Sequence, residues 1–133
     1  MMAPSFLSLA GRAVLRIDGV DARAFLQGMI SNDVRKVAPE HAIWAAFLTP
    51  QGKFLHDFFV CEQDGELLLE GEKDRLSDLR RRLSMYRLRS QVTIEELGDA
   101  VRVWALFGDG ADVAVGLPAA AQAGTAASLT GGT

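Results

Sequence analysis

One carboxylate stands out among the residues that could do chemistry. Asp57 lies inside Phe54-Leu55-His56-Asp57-Phe58-Phe59-Val60, where every other residue except His56 is apolar. A carboxylate lodged among aromatic side chains loses hydration. Its ionised form then needs a partner, either an internal donor or a ligand bearing N–H groups. The plain structural alternatives are a strand exposed on one edge or an Asp paired with a nearby Arg, since ion-pair networks perturb carboxylates as functional sites do. His56 beside it invites a catalytic dyad. Adjacent strand residues point to opposite faces, however, so a structural histidine is the expectation.

Trp44 sits in the preceding apolar run, 42–49. A connecting loop of two or four residues sets Trp44 opposite Asp57, because the two are equidistant from Pro50-Gln51. A three-residue loop with Gly52 as a bulge shifts the register by one and sends them to opposite faces. Pro50-Gln51-Gly52 fits the second loop well, so residue types leave the question open. Cys61 follows the strand beside Glu62, with no base or cation at hand, and reads as a small apolar residue. A lone cysteine excludes a disulfide framework and a cysteine-rich zinc site. With only His41 and His56 besides, no metal site is expected. Lys73, Arg75, Arg80, Arg81, Arg82, Arg87 and Arg89 supply half of the 14 Lys and Arg residues. They read as a solvated helix face with cations at its C-terminal end, without the interleaved aromatics that single-strand nucleic-acid binding needs.

These residues need elements to position them. A first strand is expected over 13–17, closed by Asp18-Gly19. Ala22, Phe25, Leu26, Met29 and Ile30 then fall on one helical stripe that Ser31-Asn32-Asp33 ends. Pro50-Gln51-Gly52 joins two apolar arms, 42–49 and 53–61, into a hairpin. Both arms are apolar on both faces, which predicts central strands covered on each side. A strand over 66–70 follows Asp64-Gly65. A second helix spans roughly 73–88, with Leu76, Leu79, Leu83 and Tyr86 as its apolar stripe, and strands around Val92–Glu95 and 101–107 close the series. The order β-α-β-β-β-α-β-β is that of an α+β fold, with two helices on a mostly antiparallel sheet.

The chain has 133 residues, 49% of them hydrophobic and 23% charged, enough for one globular domain and too few for two. Disorder is excluded by that hydrophobic content. A net charge of -3 leaves no bulk basic field for nucleic acid. No apolar run approaches the roughly 20 residues that cross a bilayer, and 1–10 lacks the charged lead of a signal peptide. A cytoplasmic protein with neither nucleic-acid nor membrane partner is expected. From Ala119 the chain is almost wholly Ala, Gly, Ser and Thr, so 1–118 is expected to form the domain and 119–133 a linker or frayed end.

Three stretches in order resemble a known family. Residues 19–28, Gly-Val-Asp-Ala-Arg-Ala-Phe-Leu-Gln-Gly, followed by Ser31-Asn32-Asp33-Val34, resemble the opening of the folate-binding family that includes the glycine-cleavage T-protein, most closely its YgfZ branch. Residues 49–57 are similar to that branch's turn and following strand, and 83–92 to its helix-to-strand junction. The resemblance implies the N-terminal α+β portion of the aminomethyltransferase folate-binding fold, with tetrahydrofolate or another reduced folate as cofactor. It implies that Asp57 recognises the pterin, that Trp44 packs on it, and that Leu69 lines the pterin pocket. Cys61 replaces a tyrosine of the transferase relatives, and the YgfZ hallmark around Lys-Gly-Cys-Tyr is absent from this chain. The function expected is that of a tetrahydrofolate-binding YgfZ-like protein supporting iron–sulfur cluster assembly or repair, with iron–sulfur assembly proteins or client enzymes as partners. The alternatives are an aminomethyltransferase, in which Asp57 would be catalytic in one-carbon transfer, and a non-catalytic interaction domain.

Overall fold

A computed structural model describes residues 5–101 and 103–107. The elements are β1 (Ser5–Ser8), β2 (Arg12–Asp18), α1 (Ala22–Gln27), β3 (Ile43–Leu48), β4 (Phe54–Gln63), β5 (Glu66–Glu72), α2 (Lys73–Met85), β6 (Thr93–Glu96) and β7 (Trp104–Phe107). A five-stranded antiparallel sheet runs in the order β3-β4-β5-β2-β6, while β1 and β7 pair in a separate antiparallel ribbon. The α+β fold with two helices is therefore the observed one. The strand β1 was not anticipated: Ser5–Ser8 is only 4 residues long, too short for an alternating pattern to register. The segment 119–133 lies outside the described residues.

Alternation along each strand separates a core face from an opposite face. Leu15 and Ile17 of β2, Phe58 and Val60 of β4, and Leu67 and Leu69 of β5 are all fully buried on the first. They form one continuous cluster with Phe25 and Leu26 of α1 and with Leu76, Leu79 and Leu83 of α2. Both helices thus cover the same side, and each such leucine or phenylalanine contributes roughly 1.5–3 kcal/mol. The helix α1 stops at Gln27 rather than continuing to Ile30. Gly28 closes it, and Ile30 turns away to make an isolated bridge with Phe47. The helix α2 carries Asp74 in its first turn and Arg82 in its last, matching its dipole. Tyr86, expected on its apolar stripe, lies just beyond its end, with its ring centroid 6.5 Å from that of Phe47.

Among the described residues the second sheet face carries no helix, contrary to the expectation of strands covered on both sides. The strand β3 is an edge strand, and Trp44 and Phe59 are each 50% exposed. The apolar residues on both faces of the hairpin do not mark a sheet enclosed within this chain. They mark one buried face and one that is apolar and open.

A tight contact fixes the entry to α1. Gly19 has φ +119, and a Cβ there would lie 2.2 Å from the Gln91 carbonyl oxygen. That carbonyl accepts from the Asp21 backbone N–H, while the Asp21 carboxylate accepts from the Gln91 N–H at 2.7 Å. Replacing Gly19 by Ala is expected to cost about 2 kcal/mol through left-handed strain and displaced backbone, measured as a lower midpoint in urea unfolding. The same change at Gly11, which has open space around it, is expected to leave the midpoint nearly unchanged.

Candidate functional site

The connection between β3 and β4 decides which side chains share a face. The Gly52 N–H donates to the Thr49 carbonyl at 2.8 Å, the Thr49 N–H donates to Lys53 at 2.8 Å, and Gly52 takes φ +83. This is the three-residue loop, with glycine in the left-handed position. By itself it would put Trp44 and Asp57 on opposite faces. A second irregularity lies within the ladder: Phe47 pairs with His56 but Leu48 with Phe54, so Leu55 has no opposite number. This bulge shifts the register once more. Trp44 then pairs with Phe59 and Ala46 with Asp57, and the tryptophan and the carboxylate stand diagonally on one face.

The Trp44 indole N–H donates to Asp57 Oδ2 at 3.4 Å. Asp57 is exposed, so the hydration loss expected from its apolar strand does not arise within this chain. Among the described residues it makes no ion pair. Arg12 is bound to Glu70 through both carboxylate oxygens, one contact at 3.0 Å. Those hydrogen bonds hold the Arg12 guanidinium even more firmly protonated than usual, with Asp57 adding a smaller contribution. Trp44, Phe59, Glu70 and Val14 succeed one another across four strands as directly paired neighbours. The next row on this face pairs Cys61 with Leu68 and Leu68 with Arg16. Burial pushes the Cys61 thiol up, away from the reactive thiolate form.

Leu69 is not part of this face. It is fully buried in the core and pairs with Val60, because strand alternation turns it away from Trp44 and Asp57. It cannot line a pocket with them, whereas its neighbours Leu68 and Glu70 lie on the open side. Residues 31–32 are further positioning groups that residue type alone did not single out. The Ser31 N–H donates to the Ala46 carbonyl at 2.9 Å, and Ser31 Oγ accepts from the Ala46 N–H at 2.9 Å. The Asn32 amide donates to the Trp44 carbonyl at 2.9 Å. Together they occupy the outer edge of β3 and hold the strand that carries Trp44.

Below the hairpin, His56 is 4% exposed and its Nε2 donates to Asp78 Oδ2 at 2.7 Å. A carboxylate only accepts, so that nitrogen bears the proton. Asp78 also accepts from Arg82 at 2.8 Å and Arg81 at 2.6 Å. These donors, Arg82 first, hold its carboxyl well below the usual range. His56 is thus a structural histidine facing away from Asp57. Several of the basic side chains likewise serve internal contacts, Arg80 with the Ile94 carbonyl and Arg87 with that of Val92. A crevice of about 90 Å³ opens between the start of β4 and α2, bordered by Phe54, Asp57, Gly71 and Arg75. It is far smaller than the roughly 300–1,000 Å³ of small-molecule pockets, whereas the open face presents Trp44, Phe59 and Asp57 side by side. Among the described residues, no three His, Cys, Asp or Glu side chains are grouped to hold a metal ion, and no helix is long and apolar enough to cross a membrane.

No family model matches the chain. Its sequence is 33% identical over 134 residues to the human protein named iron-sulfur cluster assembly factor IBA57, mitochondrial, covering 91% of this chain and 35% of that one. The mouse protein of the same name is 34% identical over 113 residues, covering 74% of this chain and 31% of its own. The homologue from Coccidioides immitis is 32% identical over 115 residues, covering 74% and 27%. The glycine cleavage system aminomethyltransferase T from Bartonella henselae superposes with a TM-score of 0.74, covering 87% of this chain and 33% of that one, at 15% identity. The chain belongs to the YgfZ and T-protein-like family. It spans about a third of the length of these relatives. The three stretches of family resemblance have definite structural work in this member: 19–34 closes onto Gln91 and the β3 edge, 49–57 makes the loop and the bulge, and 83–92 ends α2 and supplies that Gln91. The expectation of a cytoplasmic protein is corrected by the relatives' names, which place them in the mitochondrion; a short N-terminal window carries no information that could have shown this.

The His56–Asp78 contact has a pH signature. Asp78 has a depressed folded pKa, so its stabilisation is present above the unfolded carboxylate value of roughly 3.9 and is lost as pH falls below it. Asp78→Asn is expected to destabilise the fold at pH 7 by about 1 kcal/mol, solvent screening keeping the loss small. The difference between variant and wild type in urea midpoint is expected to shrink on acidification below pH 4.

Proposed function

We propose that this chain is the N-terminal part of a tetrahydrofolate-binding iron–sulfur cluster assembly factor, with the open face of its sheet as one wall of the folate site. The observation that carries the folate reading is the Trp44–Asp57 pair: an exposed carboxylate that accepts from an indole N–H at 3.4 Å and, among the described residues, has no ion pair and no helix over its sheet face. A reduced pteridine presents N–H donors along one edge and an apolar ring face. Asp57 can accept from the first while Trp44 and Phe59 pack against the second. Those donor and acceptor types fit the group, and bound tetrahydrofolate would supply a one-carbon carrier. Asp57 would orient its ring, Trp44 would hold the carboxylate by the indole N–H, and the pair would exclude water from one side. Glu70 and Arg12 already satisfy each other, whereas Asp57 makes no ion pair among the described residues.

The assembly role rests on the relatives, whose names give them as iron–sulfur cluster assembly factors, and it implies iron–sulfur assembly proteins as partners. In this reading Asp57 serves recognition.

Titration of the intact protein with tetrahydrofolate, followed by quenching of tryptophan fluorescence, tests the folate reading. Saturable binding is expected in the wild type. Asp57→Asn is expected to weaken it by roughly 10- to 100-fold, as the loss of a charge-assisted hydrogen bond does. Unchanged affinity in Asp57→Asn would count against the proposed role of the carboxylate, and absence of saturable binding in the wild type would remove the folate reading.

A further inference from the structure

Two side chains of α2 meet the bulge that aims Asp57, one at the extra residue Leu55 and one at His56 after it. Arg75 Nη2 donates to the Leu55 carbonyl at 2.8 Å. Asp78, three residues on and so on the same side of the helix, accepts from His56 Nε2 at 2.7 Å. A bulge leaves its extra residue outside the regular ladder, so its backbone groups need partners from elsewhere. The Arg75 guanidinium meets that need at Leu55. The His56–Asp78 contact then pins the next residue, and that histidine is almost fully buried, so its ring has one place to go. Asp57 follows immediately. Its backbone leaves the bulge in a direction set by residues 55 and 56, both tied to one rigid helix.

Arg81 and Arg82 hold Asp78 from the helix's own next turn, so the acceptor is itself fixed in position. The basic run of α2 therefore does more than face solvent: Arg75, Arg81 and Arg82 are spent on the clamp and its support. The crevice bordered by Phe54, Asp57 and Arg75 lies at this same junction. The two hydrogen bonds of the clamp end on Leu55 and His56, and Asp57 follows them directly along β4.

We propose that Arg75 and Asp78 are positioning residues: by clamping the bulge at Leu55–His56, α2 sets the aim of the Asp57 carboxylate toward Trp44 on the opposite side of the sheet. Its consequence for ligand affinity rests on the folate reading above; the geometric part does not. Neither residue touches the ligand face. Each acts through Leu55 or His56, as an outer partner orients a binding group.

The Trp44 indole N–H gives a signal that a merely stabilising role would leave alone. In a ¹H–¹⁵N spectrum of the intact protein that signal is identified by its loss in Trp44→Phe, and its position without the carboxylate is given by Asp57→Asn. In Arg75→Ala the signal is expected to move toward the Asp57→Asn position, and Arg75→Lys, which keeps a donor, is expected to bring it part of the way back. Asp78→Asn is expected to move it in the same direction. Tetrahydrofolate affinity is expected to fall by roughly tenfold in Arg75→Ala, the size typical of losing an outer partner. If the indole signal of Arg75→Ala coincides with that of the wild type, the clamp is refuted whatever the affinity does, and Arg75, exposed on the helix, gives a folded variant even if Asp78→Asn does not. If the signal moves while the wild type binds no tetrahydrofolate, the clamp holds and only the folate reading falls.

Discussion

Side chains alternate across a strand, so a slip of one residue between β3 and β4 would exchange the two faces of the hairpin and carry Trp44 into the core. Two local irregularities of opposite consequence settle that parity. The loop 50–52, with Gly52 in the left-handed region, moves the register by one, and the bulge at Leu55 moves it again. Ile43, Ala45 and Phe47 thereby join Phe58 and Val60 in the interior, and Trp44, Asp57 and Phe59 are gathered outside. The core needs this parity as much as the candidate site does. Burial of three β3 side chains is lost with any other.

The edge and the underside of the same hairpin are tied down with corresponding care. Ser31 and Asn32 bond the outer backbone of β3 at Ala46 and Trp44, and α2 grips β4 from the core side through Leu55 and His56. Asp57 makes no ion pair among the described residues, while on the same face Arg12 pairs with Glu70 and Arg16 with Glu66 and Glu95. A face built this way keeps an exposed carboxylate beside an aromatic ring.

Much of this was legible in the residues. The helical stripes, the turn at Pro50-Gln51-Gly52, the opposition of His56 and Asp57, and the helical use of the basic run all follow from period and chemistry. What stayed illegible has identifiable causes. A bulge is one extra residue with no compositional mark at Leu55, so the Trp44–Asp57 relation could not be read from spacing. Leu67-Leu68-Leu69 is apolar at every position, and only pairing with Val60 shows that Leu69 faces inward. Apolar residues on both faces of β3 and β4 look the same whether the second face is covered within the chain or left open for something else. Asp57 drew attention for the wrong reason: its apolar neighbours suggested desolvation, whereas the structure leaves it in solvent, with its partner a tryptophan rather than a cation.

The chain shares its fold with the T-protein neighbour and spans about a third of the length of the IBA57 relatives. The strand pairing on which the open face depends is directly measurable. In a nuclear Overhauser spectrum of the protein, cross-strand backbone contacts should join Ala46 with Asp57 and Trp44 with Phe59. Contacts that instead join Trp44 with Phe58 would place Trp44 and Asp57 on opposite faces and contradict the shared site.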